Sequence, residues 1–198
     1  MPDIEMATID GFEPGTFEIG VYAVTQGQLA EIVGDGADHP RRPATDVSWL
    51  RAIRFCNAMS EWEGLDPVYG FDGEDVTWHV EADGFRLPTE AEWEFACRAG
   101  STGPHYGPLA EIAWSSLDGV SAPQDVGGKL PNLNGLFDML GNTWEWCWDV
   151  LDPERGDARA IRGGGFADDA WAVRASERRG ERPRARHGDL GFRVARSA

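Results

Sequence analysis

Four positions in the stretch GLFDMLGNTWEWCWD, residues 135–149, are spaced for chemistry. Asp138, Gly141, Thr143 and Glu145 can direct two carboxylates and two backbone carbonyls at one point. That is the hard-oxygen environment calcium prefers. The same residues have a plainer reading, in which Asp138 caps the turn and Glu145 pairs with an arginine, and the residue types leave both open. In an extended strand side chains alternate, so Trp144, Trp146 and Trp148 share one face and Glu145, Cys147 and Asp149 the other. Three indoles on one side make a core stripe. Core packing gives no reason for the polar loop that precedes it.

Other reactive types are scattered. Cys56, Cys97 and Cys147 lie far apart, without the C-x-x-C spacing of a zinc site or the even number of a disulfide framework. They read as buried thiols in a reducing compartment. Nothing in the spacing of His39, His79, His105 or His187 completes a zinc site. The run Arg162–Gly165 is glycine-rich, but no Lys-Ser or Lys-Thr follows and no helix is indicated, so it reads as a tight strand junction rather than a phosphate loop.

These residues must be carried by helices and strands, and the signals for both are local. TFEIGVYAVT fits one or two strands. In DVSWLRAIRFCNAMSEWEGL, Leu50, Ile53, Cys56 and Met59 recur at three-residue spacing after Ser48, a good N-cap, and predict a helix. FDGEDVTWHVEADGFRL reads as a hairpin. In RLPTEAEWEFACRAG, Thr89 and Glu92 form a capping box, and Ala91, Phe95 and Ala96 are expected to face a core. Residues 103–134 are mostly loop, and GFRVAR is a last strand.

Net charge is −16, which argues against nucleic acid, because phosphate contacts need a basic surface. The charge is uneven: residues 151–198 hold 11 Arg against 8 Asp and Glu, so residues 1–150 carry 7 basic against 26 acidic groups. The arginines from Arg174 to Arg186, interleaved with Glu177 and Glu181, read either as a self-paired network or as a recognition surface for carboxylate or phosphate. No window reaches the roughly 18 apolar residues of a membrane span, and the start is acidic without a basic n-region. A soluble, unexported, cytoplasmic protein with no membrane contact is expected, and a monomer.

Taken together, VTQGQ, DVSWLRAIRFCNAMSE, RLPTEAEWEFACRAG, PNLNGLFDMLGNTWEWCWD, RGGGF and GFRVAR resemble the formylglycine-generating enzyme family, also called the sulfatase-modifying-factor family, in order from about Ile19 to Arg196. The resemblance implies one α+β domain over residues 1–198, of C-type-lectin-like fold with two helices, short strands and much irregular structure. It matches Asp138, Gly141, Thr143 and Glu145 to a calcium site of the family. A second family calcium site falls in the loop around residues 113–127, where no ligands are recognisable. Alignment on GDLGFR and Pro183 places the family's two copper cysteines at Ala170 and Ala175, and a methyl group cannot bind copper. Iron chemistry would need His and carboxylates converging from distant segments. The segment that varies in retroelement-diversified members corresponds to Asp168, Asp169, Trp171, Arg179, Glu181, Arg186 and His187, with Arg174 and Arg178 beside them. The expected function is a non-catalytic, calcium-stabilised lectin-like domain that holds a protein, peptide or small anionic ligand on this surface. The alternative is a divergent metal-dependent oxidase or oxygenase.

Overall fold

The tryptophan strand Trp144–Val150 is buried on both faces at its start, and the layers form around it. The computed structural model describes residues 3–34, 36–73 and 75–198. In chain order the elements are β1 (Met6–Ile9), β2 (Phe17–Gly20), α1 (Gln26–Val33), α2 (Trp49–Glu63), β3 (Tyr69–Asp72), β4 (Asp75–Trp78), α3 (Glu90–Arg98), α4 (Leu109–Ile112), a 3-10 turn (Ser116–Asp118), β5 (Trp144–Val150), β6 (Arg159–Arg162), β7 (Arg178–Glu181), β8 (Leu190–Phe192) and β9 (Ala195–Ser197). One sheet runs β7-β6-β5-β8, with β5 and β8 parallel; a second runs β1-β2-β9; β3 and β4 pair alone. Short strands and helices with long irregular connections make this an α+β fold of the C-type-lectin-like type.

Alternation along β5 sorts its side chains into two cores. Trp144 and Trp146 enter one with Trp49, Ile53, Phe55 and Met59 of α2, and Trp148 packs against it. Cys147 enters the other with Trp93, Ala96 and Cys97 of α3. Each indole buries a large apolar area and still needs a partner for its N–H. Trp49 Nε1 donates to Cys147 O at 2.9 Å and Trp146 Nε1 to Val47 O at 2.8 Å. Helix α2 starts where Ser48 Oγ accepts from Arg51 N and stops at left-handed Gly64. In α3, Thr89 accepts from Glu92 N while Glu92 accepts from Thr89 N, and Asp149 at the end of β5 accepts a further first-turn amide, Glu90 N, at 2.6 Å.

Three expectations change. Two helices were expected and four α-helices are present among the described residues: α1 was not anticipated, although Thr25 and Gln28 form its capping box, nor was the single-turn α4 within residues 103–134. On α3, Ala91 and Phe95 are exposed rather than core, Phe95 lying against Phe12, and Trp93 and Cys97 take the inward face with Ala96. The terminal GFRVAR is two strands in two sheets, β8 beside β5 and β9 beside β2.

Arg193, between those two strands, is completely buried. Its guanidinium donates to Glu145 Oε1 at 2.9 Å, to Glu145 Oε2 at 3.1 Å, to Gly20 O at 2.7 Å, to Val21 O at 2.8 Å and to Phe137 O at 2.8 Å. Trp93 Nε1 closes the other side of Glu145 Oε2 at 2.7 Å. Removing one partner of a buried pair leaves an uncompensated charge, worth about 3–5 kcal/mol. Arg193→Met and Glu145→Gln are each expected to cost that order in denaturant unfolding. Because Arg193 also serves three backbone carbonyls, the double variant Glu145→Leu with Arg193→Met should stay destabilised; recovery to wild-type stability would contradict this account.

Candidate functional site

The loop that leads into β5 bends back through three residues in the left-handed region, Asp138, Gly141 and Asn142. At Gly141 a Cβ would lie 2.1 Å from Trp114 O, so only glycine lets the loop pass that close. The bend turns the polar side chains toward residues 113–134. Asn142 donates to Gln124 O at 3.1 Å and accepts from Gln124 N at 2.8 Å. Asp138 Oδ2 accepts from Gly127 N at 2.7 Å, while its Oδ1 is buried without a hydrogen-bond partner. Burial pushes the Asp138 carboxyl up to about 6; the Gly127 N–H and the Arg193 charge oppose the rise and the Glu145 charge adds to it.

Asp138, Gly141 and Thr143 share one buried bend and Glu145 lies on the strand that follows it, and both features of the plainer reading are present, since Asp138 fixes a loop amide and Glu145 pairs with Arg193. The orphaned Asp138 oxygen is the group a hard cation would satisfy. Glu145 would be shared, because both its oxygens already accept from Arg193 and one from Trp93. Gly141 O accepts from Thr143 N at 2.7 Å. Of the four positions, Asp138 is the one whose side chain keeps a buried oxygen without a hydrogen-bond partner.

In the neighbouring loop the cation is a side chain. Lys129, the single lysine of the chain, donates to Asp118 Oδ1 and Ala110 O, both at 2.7 Å, with its ammonium 4.3 Å from the Trp114 ring centroid. The opposite Asp118 oxygen accepts from Ser115 N, which closes the 3-10 turn. Its placement beside an aromatic ring and a carboxylate gives Lys129 a structural role.

At the C-terminal surface, Arg179 lies 4.6 Å from the ring centroid of Trp144 and 5.9 Å from that of Trp171. Asp168 Oδ2 accepts from Trp144 Nε1 at 2.7 Å and Gly165 N at 2.8 Å, and its Oδ1 is 3.6 Å from Arg179. Arg174 pairs with Glu177, and its guanidinium is 5.8 Å from Trp171. His187 is 3.5 Å from Glu181, and both border a small cavity of about 160 Å³ with Trp144, Arg179 and Asp189. Burial, and then the Asp168 charge, raises the Asp189 carboxyl above its ordinary range. Trp171, 59% exposed, stands at this rim, and Asp169 and Arg186 are exposed. Arg178 is drawn away from the group, donating to Glu90 at 2.6 and 2.5 Å beside buried Arg162, which in turn bonds Glu90, Glu94 and Ala175 O.

Of the two aligned copper positions, Ala170 is exposed and Ala175 is in the α3-side core. No cysteine follows Cys147 in the chain. Burial raises the thiols of Cys56, Cys97 and Cys147 well above the ordinary range, so none is a ready thiolate.

The two packed cores, the mixed sheet and the polar bend before its central strand define a C-type-lectin-like scaffold. The sequence profile of the sulfatase-modifying factor enzyme 1-like domain matches residues 10–198, and the chain belongs to that family. The chaperone protein LppX of Paenibacillus barcinonensis is 31% identical over 91% of this chain and 80% of its own length. The inactive C-alpha-formylglycine-generating enzyme 2 of Mus musculus is 34% identical over 67% of this chain and 49% of its own length, so this chain spans about half of that relative. Among solved structures, Treponema denticola variable protein 1 superposes with a TM-score of 0.90 at 28% identity, covering 98% of this chain and 95% of that one.

Asp138 supplies a test with opposite signs. Its folded-state carboxyl titrates near 6 against an ordinary 3.8, so without a cation its protonated form stabilises the fold below about pH 4, and this contribution is lost as pH rises through about 6. In chelator at pH 7.5, Asp138→Asn is expected to be more stable than wild type by roughly 1–3 kcal/mol, the difference vanishing near pH 4. With calcium present the order should reverse. Melting curves that respond to neither calcium nor the substitution would remove calcium from this turn.

Proposed function

We propose that this chain is a non-catalytic binding domain, steadied by calcium at Asp138, Gly141, Thr143 and Glu145, whose C-terminal surface holds a protein or peptide. The observation that carries the reading is the intact scaffold of an oxidative family combined with the absence of any cysteine after Cys147. Copper in this family is held by soft thiolates, and the three thiols present are sealed in the cores.

The partner class follows from the state of the surface arginines. Arg174, Arg178 and Arg179 are already paired with carboxylates, which leaves little free charge to clamp a small anion. What remains on offer is an exposed indole, Trp171, with the Arg174 and Arg179 guanidinium groups 5.8 and 5.9 Å from its ring centroid, and Trp and Arg anchors are enriched among interface hot spots. The names of two relatives, a chaperone and an inactive enzyme, support binding in place of turnover.

Three measurements test the proposal. Elemental analysis of the purified protein should find calcium; stoichiometric copper or iron with substrate-dependent oxygen uptake would sink it. A thiol reagent should modify none of the three cysteines in the native state and all three after unfolding. Peptides selected from a random library on the immobilised domain should lose at least about tenfold in affinity on Trp171→Ala, of the order expected for an interface anchor. Selected peptides that bind the variant equally well would place the binding face elsewhere.

A further inference from the structure

A cavity of about 600 Å³ lies away from the Trp171 face, between the first turn of α2, strand β4 and the residues that follow β7. Trp49, Leu50 and Pro183 give it an apolar wall, and Arg159, Arg182 and Arg184 border it. Arg159 is the unusual member. Its guanidinium carbon lies 3.9 Å from the ring centroid of Trp49 and 5.0 Å from that of Trp148, and one nitrogen donates to Trp148 O at 2.6 Å. Its Nε is buried with no acceptor, and it forms no ion pair among the described residues.

Other arginines of this half of the molecule have found carboxylates: Arg162 with Glu90 and Glu94, Arg178 with Glu90, Arg193 with Glu145. A half-buried guanidinium without one carries a desolvation cost, and burial accordingly depresses its proton affinity, with Asp149, Tyr69 and Asp157 opposing. An arriving anion would relieve that cost. Arg182, exposed and among the lining residues, adds a second positive charge. Asp75 and Asp157 on the rim set an upper limit on the ligand's charge, because a polyanion would be repelled by them.

We propose that this cavity binds a small organic anion, one carboxylate or phosphate head on an apolar or aromatic body. The head is held by Arg159 and Arg182, and the body lies on Leu50 and Pro183. Guanidinium groups suit both heads through fork-like hydrogen bonding, and a stacked guanidinium is already aligned to donate from its edge. The site goes beyond the partner-binding reading and does not depend on it.

Tryptophan fluorescence and calorimetric titrations of the whole chain with benzoate, phenyl phosphate, benzamide and inorganic phosphate test the proposal. Benzoate or phenyl phosphate should bind saturably, and whichever binds more tightly identifies the preferred head. Inorganic phosphate should bind at least about tenfold more weakly for want of a body, and benzamide should not bind. Arg159→Gln and Arg182→Gln should each weaken the better ligand by about tenfold, the loss of one charge-assisted contact. Trp171→Ala should leave it unchanged, which separates this site from the partner face. Arg182 is exposed, so its variant keeps the test valid even if Arg159→Gln unfolds. No saturable binding of either phenyl-bearing anion, equal binding of benzamide, or full affinity in folded Arg182→Gln would each overturn the proposal.

Discussion

The buried Glu145–Arg193 pair is the interaction on which the rest of the architecture hangs. Arg193 sits where the chain leaves one sheet and enters another, and its donors reach the end of β2, the loop before β5 and the carboxylate of β5 itself. A planar fork with five N–H groups is the one side chain that can serve a carboxylate and three carbonyls at once. Desolvating both charges is expensive, and a purely apolar junction would avoid it. An apolar junction, however, would supply no donor to those carbonyls, so here the ion pair fixes register between sheets that share few strand contacts.

Arginine pairing also explains the uneven charge of the chain. The C-terminal quarter is basic in isolation, yet Arg162 and Arg193 are buried against Glu90, Glu94 and Glu145, all from earlier segments, and Arg178 and Arg196 reach Glu90 and Glu18. The excess of Arg after residue 150 and the excess of acid before it are partly two sides of the same contacts. A charge balance computed along the sequence therefore overstates the free positive surface, and an unpaired arginine such as Arg159 says more about ligands than the total does.

What was legible in the sequence follows the range of each interaction. Capping by Ser48, and by Thr89 with Glu92, acts within one turn and was read correctly, as was the alternation of Trp144, Trp146 and Trp148. Helix α1 was missed because eight residues containing glycine and ending in Ile and Val carry little helical periodicity, although Thr25 and Gln28 hold the signal of a capping box. The division of GFRVAR into two strands depends on carbonyls more than 170 residues earlier in the chain, 173 for Gly20, which no local pattern encodes. At the candidate site the turn residues were legible, whereas the pairing of Asp138 with Gly127, of Glu145 with Trp93 and of Lys129 with Asp118 had no local counterpart.

Those pairings bear on what calcium could do. Among the contacts that fasten the segment from Ala113 to Asn134, three involve the candidate site and its neighbour: the Lys129 ammonium, the Asn142 amide and the Asp138 carboxylate. The first two hold without any ion, because a covalently attached ammonium and an amide are present at fixed local concentration. Only the third leaves a buried oxygen unmatched. An ion there would act on a loop already shaped by the other two, so its binding would pay little ordering entropy and its loss would loosen one corner near Gly127 instead of unfolding the segment. The proposed calcium site would thus modulate local stability on a scaffold whose geometry the Glu145–Arg193 pair sets, and the proposed partner-binding rim, joined to β5 through Trp144 and Asp168, inherits that geometry.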